Sequence, residues 1–81
     1  MFFVYIIQST QTGAFYIGST SDLEDRLWHH NNNLTASTKK KGPWKVVYQE
    51  THETKKSVLQ REHFLKKQKN RAFYEKLING T

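Results

Sequence analysis

An unbroken run of six apolar residues, Phe2 to Ile7, is followed after a turn cluster, Thr10-Gln11-Thr12-Gly13, by a second short run, Ala14 to Gly18. β-Branched and aromatic residues bounded by turn formers predict two strands, Phe2 to Gln8 and Ala14 to Gly18, joined as a β-hairpin. If the turn closes symmetrically on an even number of residues, paired positions sum to an odd number, so Tyr5 and Tyr16 are either opposite or diagonal neighbours. Both hydroxyls then project from one face. The chain has 81 residues and no cysteine, which excludes disulfides and thiolate metal sites together. A fold of this size buries only about 60% of its unfolded surface, so an economical core must serve a single domain over residues 1–81.

Ser21-Asp22-Leu23-Glu24 has the form of a capping box, with Ser21 placed to accept from a first-turn amide and the acids suited to the positive helix end. At about 100° per residue, Leu23, Leu27 and His30 form one stripe of the helix that follows. Arg26 lies at its edge and His29 on the opposite side. Asn31 to Pro43 lacks periodicity and carries Lys39-Lys40-Lys41 ahead of Gly42-Pro43, which predicts an exposed, mobile loop. A third strand is expected over Trp44 to Glu50, with Trp44, Val46 and Tyr48 alternating against Lys45, Val47 and Gln49. Thr54 is placed to cap a helix reaching about Lys69, with Val58, Leu59 and Leu65 inward and Glu62 inside the same arc. Asn70 is placed to cap a last helix with Phe73, Leu77 and Ile78 inward, ending near Gly80. The expected order is β-β-α-β-α-α.

Thirteen Lys and Arg against seven Asp and Glu leave a formal charge of +6, a balance that favours a polyanionic partner. The charge is unevenly placed. Residues 1–38 hold Arg26 against Asp22, Glu24 and Asp25, whereas twelve basic residues and four acids fall in 39–81. Lys39, Lys40, Lys41, Lys45 and the basic second helix are the expected nucleic-acid contacts, neutralising phosphates without base readout. An apolar run of six residues is far below the eighteen or so that span a bilayer, and no basic leader precedes it. A cytosolic location, away from membranes, is the expectation. Gly-rich phosphate loops, His-Glu-x-x-His, nucleophile elbows and Cys/His arrays are all missing from the sequence, so small organic cofactors are not expected.

The informative residues are polar groups on faces that should be apolar. An ionised Glu62 in a buried stripe costs several kcal/mol unless it is paired or binds a cation; an ion pair with Arg26 and a bound metal both satisfy that demand. His30 alone reads equally as a satisfied, partly buried histidine, and Tyr5 and Tyr16 alone as strand aromatics of the core. Together they hold more. Two phenols on a sheet face, Arg26 with His30 on one helix and Glu62 on another are the inventory that phosphodiester hydrolysis requires: a carboxylate for a divalent ion, a cation for the charge on phosphorus, and a group to deprotonate water.

Phe3-Val4-Tyr5, ten residues of spacing to Tyr16-Ile17-Gly18, then Arg26, His30-Asn31 and Arg61-Glu62 resemble the GIY-YIG nuclease domain, especially small stand-alone members related to the N-terminal domain of the UvrC repair nuclease. The resemblance runs from Phe2 to about Lys69. It departs from the family at Phe3 and Val4, where the first motif has Gly and Ile, and at Ser19, where the repair nuclease carries a lysine. It implies an α+β fold, a three-stranded antiparallel sheet flanked by helices, and a DNA endonuclease using Mg2+ or Mn2+, with DNA repair as a setting. By the same resemblance, Tyr5 and Tyr16 match the family's two tyrosines, one acting on the attacking water. Arg26 matches the arginine on the scissile phosphate, and Glu62 the single protein ligand of the metal. His30 takes a supporting acid, base or phosphate-contacting position, and Gly18 is the motif glycine that lets backbone approach closely. A binding module with the same fold and little or no catalysis is the alternative. A tyrosine with a reference pKa of about 10 must be lowered by Arg26 or the metal to act as a base, or else relay a proton.

Overall fold

The computed structural model describes residues 1–32, 34 and 39–80. Its elements are β1 (Phe2–Ser9), β2 (Phe15–Thr20), α1 (Leu23–Asn31), β3 (Trp44–His52), α2 (Lys55–Gln68) and α3 (Arg71–Asn79). The sheet is antiparallel throughout, in the order β2-β1-β3. The expected α+β architecture and the order β-β-α-β-α-α are both present. Gly13 sits in the turn between β1 and β2 with φ 77°, a backbone conformation that costs glycine no Cβ clash.

The hairpin register pairs Tyr5 with Gly18 and Ile7 with Tyr16. Tyr5 and Tyr16 are therefore diagonal neighbours on one face, as the odd-sum rule allows. Alternation divides the sheet into two sides. Val4, Ile6 and Ile17 pack with Val58 and Leu65 of α2 and Tyr74 of α3, whereas Tyr5, Ile7 and Trp44 pack with Leu23 and Leu27 of α1. Each helix layer buries a separate apolar cluster, and β1, the central strand, contributes to both.

Four expectations need correction. The α1 cap is Asp22 and not Ser21, because the helix starts at Leu23 and the extended residue just before it is Asp22, whose carboxylate accepts from Asp25 N at 3.0 Å while its own N donates to the Thr20 hydroxyl at 3.0 Å. The single stripe expected along β3 is broken, since the β1–β3 register shifts between Ile6 and Ile7; Trp44 and Val46 join the α1 side while Tyr48 joins the α2 side. Such a bulge inserts an unpaired residue and reverses the phase of alternation. Leu59, placed inward by periodicity, is 48% exposed. In α3, Phe73 and Leu77 pack against the core as expected, but the expected stripe omits the buried residue, Tyr74, whose hydroxyl donates to Leu65 O at 2.6 Å and so ties the third helix to the second.

The expected helix starts at Thr54 and Asn70 are present, each side chain accepting from first-turn amides. Part of the loop expected over Asn31 to Pro43, residues 33 and 35–38, lies outside the described residues, and Asn31 itself closes α1. The Asn31 side chain accepts from Trp44 N at 2.6 Å and donates to Trp44 O at 3.1 Å. One amide side chain thereby fastens the end of α1 to the start of β3, fixing how that helix lies over the sheet. Among the described residues no helix is long and apolar enough to cross a membrane.

Candidate active site

The requirement for glycine at position 18 is visible in the packing. The Tyr5 ring reaches over its cross-strand partner, and a β-carbon on residue 18 would come within 2.6 Å of the ring's Cζ and closer still to the hydroxyl. With that space open, the phenol crosses β2 and its hydroxyl bonds His30 Nε2 at 3.0 Å. Both groups are sealed, Tyr5 being 1% and His30 0% exposed. Tyr16 stands edge-on to the same imidazole, with ring centroids 5.0 Å apart, and is only half-buried. Arg26, one turn before His30 on α1, is exposed, and its guanidinium acts on both the Tyr5 phenol and the imidazole.

Burial dominates the electrostatics of this cluster. It pushes the Tyr5 phenol up to about 12, helped by the neighbouring Tyr16 and Glu62 and opposed by Arg26. Burial likewise holds the His30 imidazole below its ordinary value, with Arg26 and His29 adding to the effect. At neutral pH the pair is a neutral phenol on a neutral imidazole. Arg26 lowers the Tyr5 phenol, but burial outweighs the guanidinium, so Arg26 does not make this phenol a base at neutral pH.

A pH dependence of stability follows. Tyr5 titrates higher in the folded chain than unfolded, so its contribution is complete below about pH 10 and is lost as pH rises toward 12, on the order of 2–3 kcal/mol. His30 titrates lower when folded, so its contribution is complete above about pH 6.5 and declines as pH falls. Urea unfolding from pH 5 to 12 should show both limbs, with Tyr5→Phe flattening the alkaline one.

Glu62 approaches from elsewhere. Ser19 is the next residue after Gly18 on β2, an edge strand, and therefore points to the α2 side. Its hydroxyl donates to Glu62 Oε1 at 2.5 Å, and Lys66 Nζ lies 2.7 Å from Oε2. The five candidate groups thus do not share one face. Tyr5, Tyr16, Arg26 and His30 gather on the α1 side, and Glu62 meets β2 from the α2 side. Its charge still acts on Tyr5. The ion pair considered for it, with Arg26, is made with Lys66 instead. A groove of about 820 Å3 between α1 and β3, lined by Phe3, Leu23, Leu27 and Val46 among others, contains none of the five.

Of the expected phosphate contacts, Lys39, Lys40 and Lys41 are exposed in the turn before β3, where Lys41 O accepts from Ser9 Oγ at 2.6 Å. Lys45 is exposed on β3 in register with Gln8, so it leaves from the side opposite the tyrosines. Sequence reasoning missed a polar network on the α2 side. Glu50 accepts from Tyr48 Oη at 2.6 Å and from Arg61 Nε at 2.8 Å, and contacts His52 Nε2 at 2.9 Å, while His52 Nδ1 meets Ser57 Oγ at 2.6 Å. Although burial alone would raise the Glu50 carboxyl, these bonds hold it below the usual carboxylate range. Arg61 is thereby committed to fastening α2 onto β3, beside Glu62. The alternation of Tyr48, Glu50 and His52 on one strand was the available signal.

The Glu62 carboxylate and Ser19 hydroxyl form a hard-oxygen donor set suited to Mg2+ or Mn2+ rather than to softer metals. Among the described residues no three His, Cys, Asp or Glu side chains cluster, so Glu62 fits such an ion only if water and substrate oxygens complete its shell.

The description of the GIY-YIG catalytic domain matches residues 1–77, and the chain belongs to that family. Its relatives include a UPF0213 protein of Staphylococcus epidermidis, 42% identical over 65 residues, covering 79% of this chain and 78% of the relative. A UPF0213 protein of Clostridium perfringens is 40% identical over 68 residues, covering 83% and 72%. Among solved structures, a UPF0213 protein from Bacillus halodurans, determined by solution NMR, superposes with a TM-score of 0.60 at 26% identity, covering 98% of this chain and 84% of that one. GIY-YIG domains are generally endonucleases that use divalent metals.

Proposed function

We propose that the protein is a metal-dependent endonuclease that hydrolyses phosphodiester bonds in DNA. The observation that carries this reading is the sealed Tyr5–His30 hydrogen bond lying behind a half-exposed Tyr16, with the Arg26 guanidinium exposed beside it. Tyr5 and His30 have no access to solvent, so their task is to fix the cluster and hold a proton between Oη and Nε2. Tyr16 Oη is the phenolic oxygen free to meet the attacking water and take its proton. Arg26 donates paired hydrogen bonds to the phosphate oxygens that gain charge as water adds to phosphorus and the leaving oxygen departs. Glu62 would hold the Mg2+ or Mn2+ ion, which supplies Lewis-acid stabilisation of charge on the phosphate. The basic residues of 39–81 neutralise the DNA backbone around the break and confer little sequence selectivity.

Nicking of supercoiled plasmid in Mg2+ or Mn2+ tests the reading. Tyr16→Phe should lower the rate by about 10²-fold or more, and Glu62→Ala should abolish metal-dependent nicking, with DNA binding retained in both. Variants that nick as fast as the parent would refute it. One observation favours a binding module instead: both Glu62 oxygens are already engaged by side chains of the protein. Salt-dependent DNA binding with no nicking in either metal would select that reading.

A further inference from the structure

Glu62 and Lys66 stand four residues apart on α2, with the acid on the N-terminal side, the more favourable orientation for such a pair on a helix. Their exposures differ in a useful way: the Glu62 side chain is 17% exposed and that of Lys66 50%. The carboxylate is withdrawn against the sheet and the ammonium lies on its solvent side, 2.7 Å from Oε2. Oε1 is turned toward the Ser19 hydroxyl. A cation arriving from solvent therefore meets a charge of its own sign at the carboxylate oxygen it needs.

We propose that Lys66 is a resident counter-ion of Glu62, a positioning residue that keeps this carboxylate closed to a divalent ion until a nucleic-acid phosphate draws the ammonium away. The proposal rests on the reading of Glu62 as the metal ligand. An ammonium and a divalent ion cannot both sit on Oε2 without strong repulsion, which falls only inversely with distance and is poorly screened beside a part-buried group. Ser19 presents no such conflict, because its hydroxyl is neutral and rotates between donating and accepting. Lys66 is the mobile partner: its charge rides on a flexible four-carbon stem with three donors, and the backbone of α2 need not move for it to leave. A phosphate oxygen offers the ammonium an equivalent anion, so DNA that supplies ligands to the metal also removes its competitor. Metal and DNA then bind with positive coupling, and by linkage each strengthens the other by the same factor.

Mn2+ binding measured by electron paramagnetic resonance on the full chain, with and without an uncleavable phosphorothioate oligonucleotide, tests this without reference to turnover. Without oligonucleotide, Lys66→Met should bind Mn2+ about twofold to fivefold more tightly than the parent, the range expected for loss of one part-exposed ion pair. Lys66→Gln should do the same, which guards against a folding defect peculiar to one variant. The oligonucleotide should then strengthen Mn2+ binding more in the parent than in either variant, and Glu62→Gln should remove the site. Equal Mn2+ affinity in parent and Lys66 variants, lost in Glu62→Gln, would overturn the counter-ion while leaving the metal reading intact. No Glu62-dependent Mn2+ binding in any variant, with or without oligonucleotide, would overturn both.

Discussion

Gly18→Ala should destabilise the chain by about 1–3 kcal/mol, the usual cost of an overpacked site, and abolish nicking with it. In an ordinary strand the substitution would have the opposite sign, gaining roughly 0.5–1 kcal/mol of backbone entropy. Here the clash prevails, because the new atom meets a rigid aromatic ring at 2.6 Å and that ring is held on its far side by His30. Urea unfolding of the single variant, and of a Gly18→Ala, Tyr5→Leu double variant, separates packing from chemistry. Against a Tyr5→Leu single variant, the double variant should lose less stability than the sum of the two single changes, because the clash exists only when both the β-carbon and the ring are present, and it should remain inactive for want of the phenol. A Gly18→Ala protein as stable and active as the parent would show that Tyr5 does not need the space.

The second large effect, in Arg26→Lys, leaves the fold alone. Arg26 is exposed on α1, where lysine is as good a helix former as arginine and surface changes stay within about 0.5 kcal/mol. Thermal unfolding should therefore be nearly unchanged. Nicking should nevertheless fall by about 10²- to 10³-fold, the scale for losing a preorganised donor at the charge that develops in the transition state. Charge is conserved in this substitution, so the loss would report the planar two-pronged geometry that an ammonium cannot reproduce. Retention of full nicking activity would remove Arg26 from the reaction.

The parts of this site visible in the sequence are those governed by short-range periodicity. The placement of Tyr5 and Tyr16 on one face needed only alternation and a turn around Gly13. Arg26 and His30 needed only the helical repeat. The side of the sheet from which Glu62 approaches was not legible, because periodicity assigns a residue to the inner arc of α2 without saying which face α2 covers. The break in the β3 stripe was hidden for a related reason: an inserted residue near Val47 moves Tyr48 to the other side, and alternation read along one strand has no view of its partner. Leu59 shows the limit of an ideal stripe: Val58 and Leu65 fill the contact with the sheet, and Leu59, at the edge of the same arc, is left 48% exposed. Tyr74 shows another, a buried aromatic whose hydroxyl satisfies Leu65 O and accepts from Lys69 N, a fit decided by tertiary contact.

The outer position of β2 has a consequence for how this fold can be enlarged. Gly18 and Ser19 show their opposite sides to the phenol and to the acid, and among the described residues no strand pairs with the outer side of β2. An additional strand zipped onto that rim would wall one group off from the other. Growth of the sheet, whether by insertion or by fusion to another domain, is compatible with the chemistry proposed here only on the β3 flank.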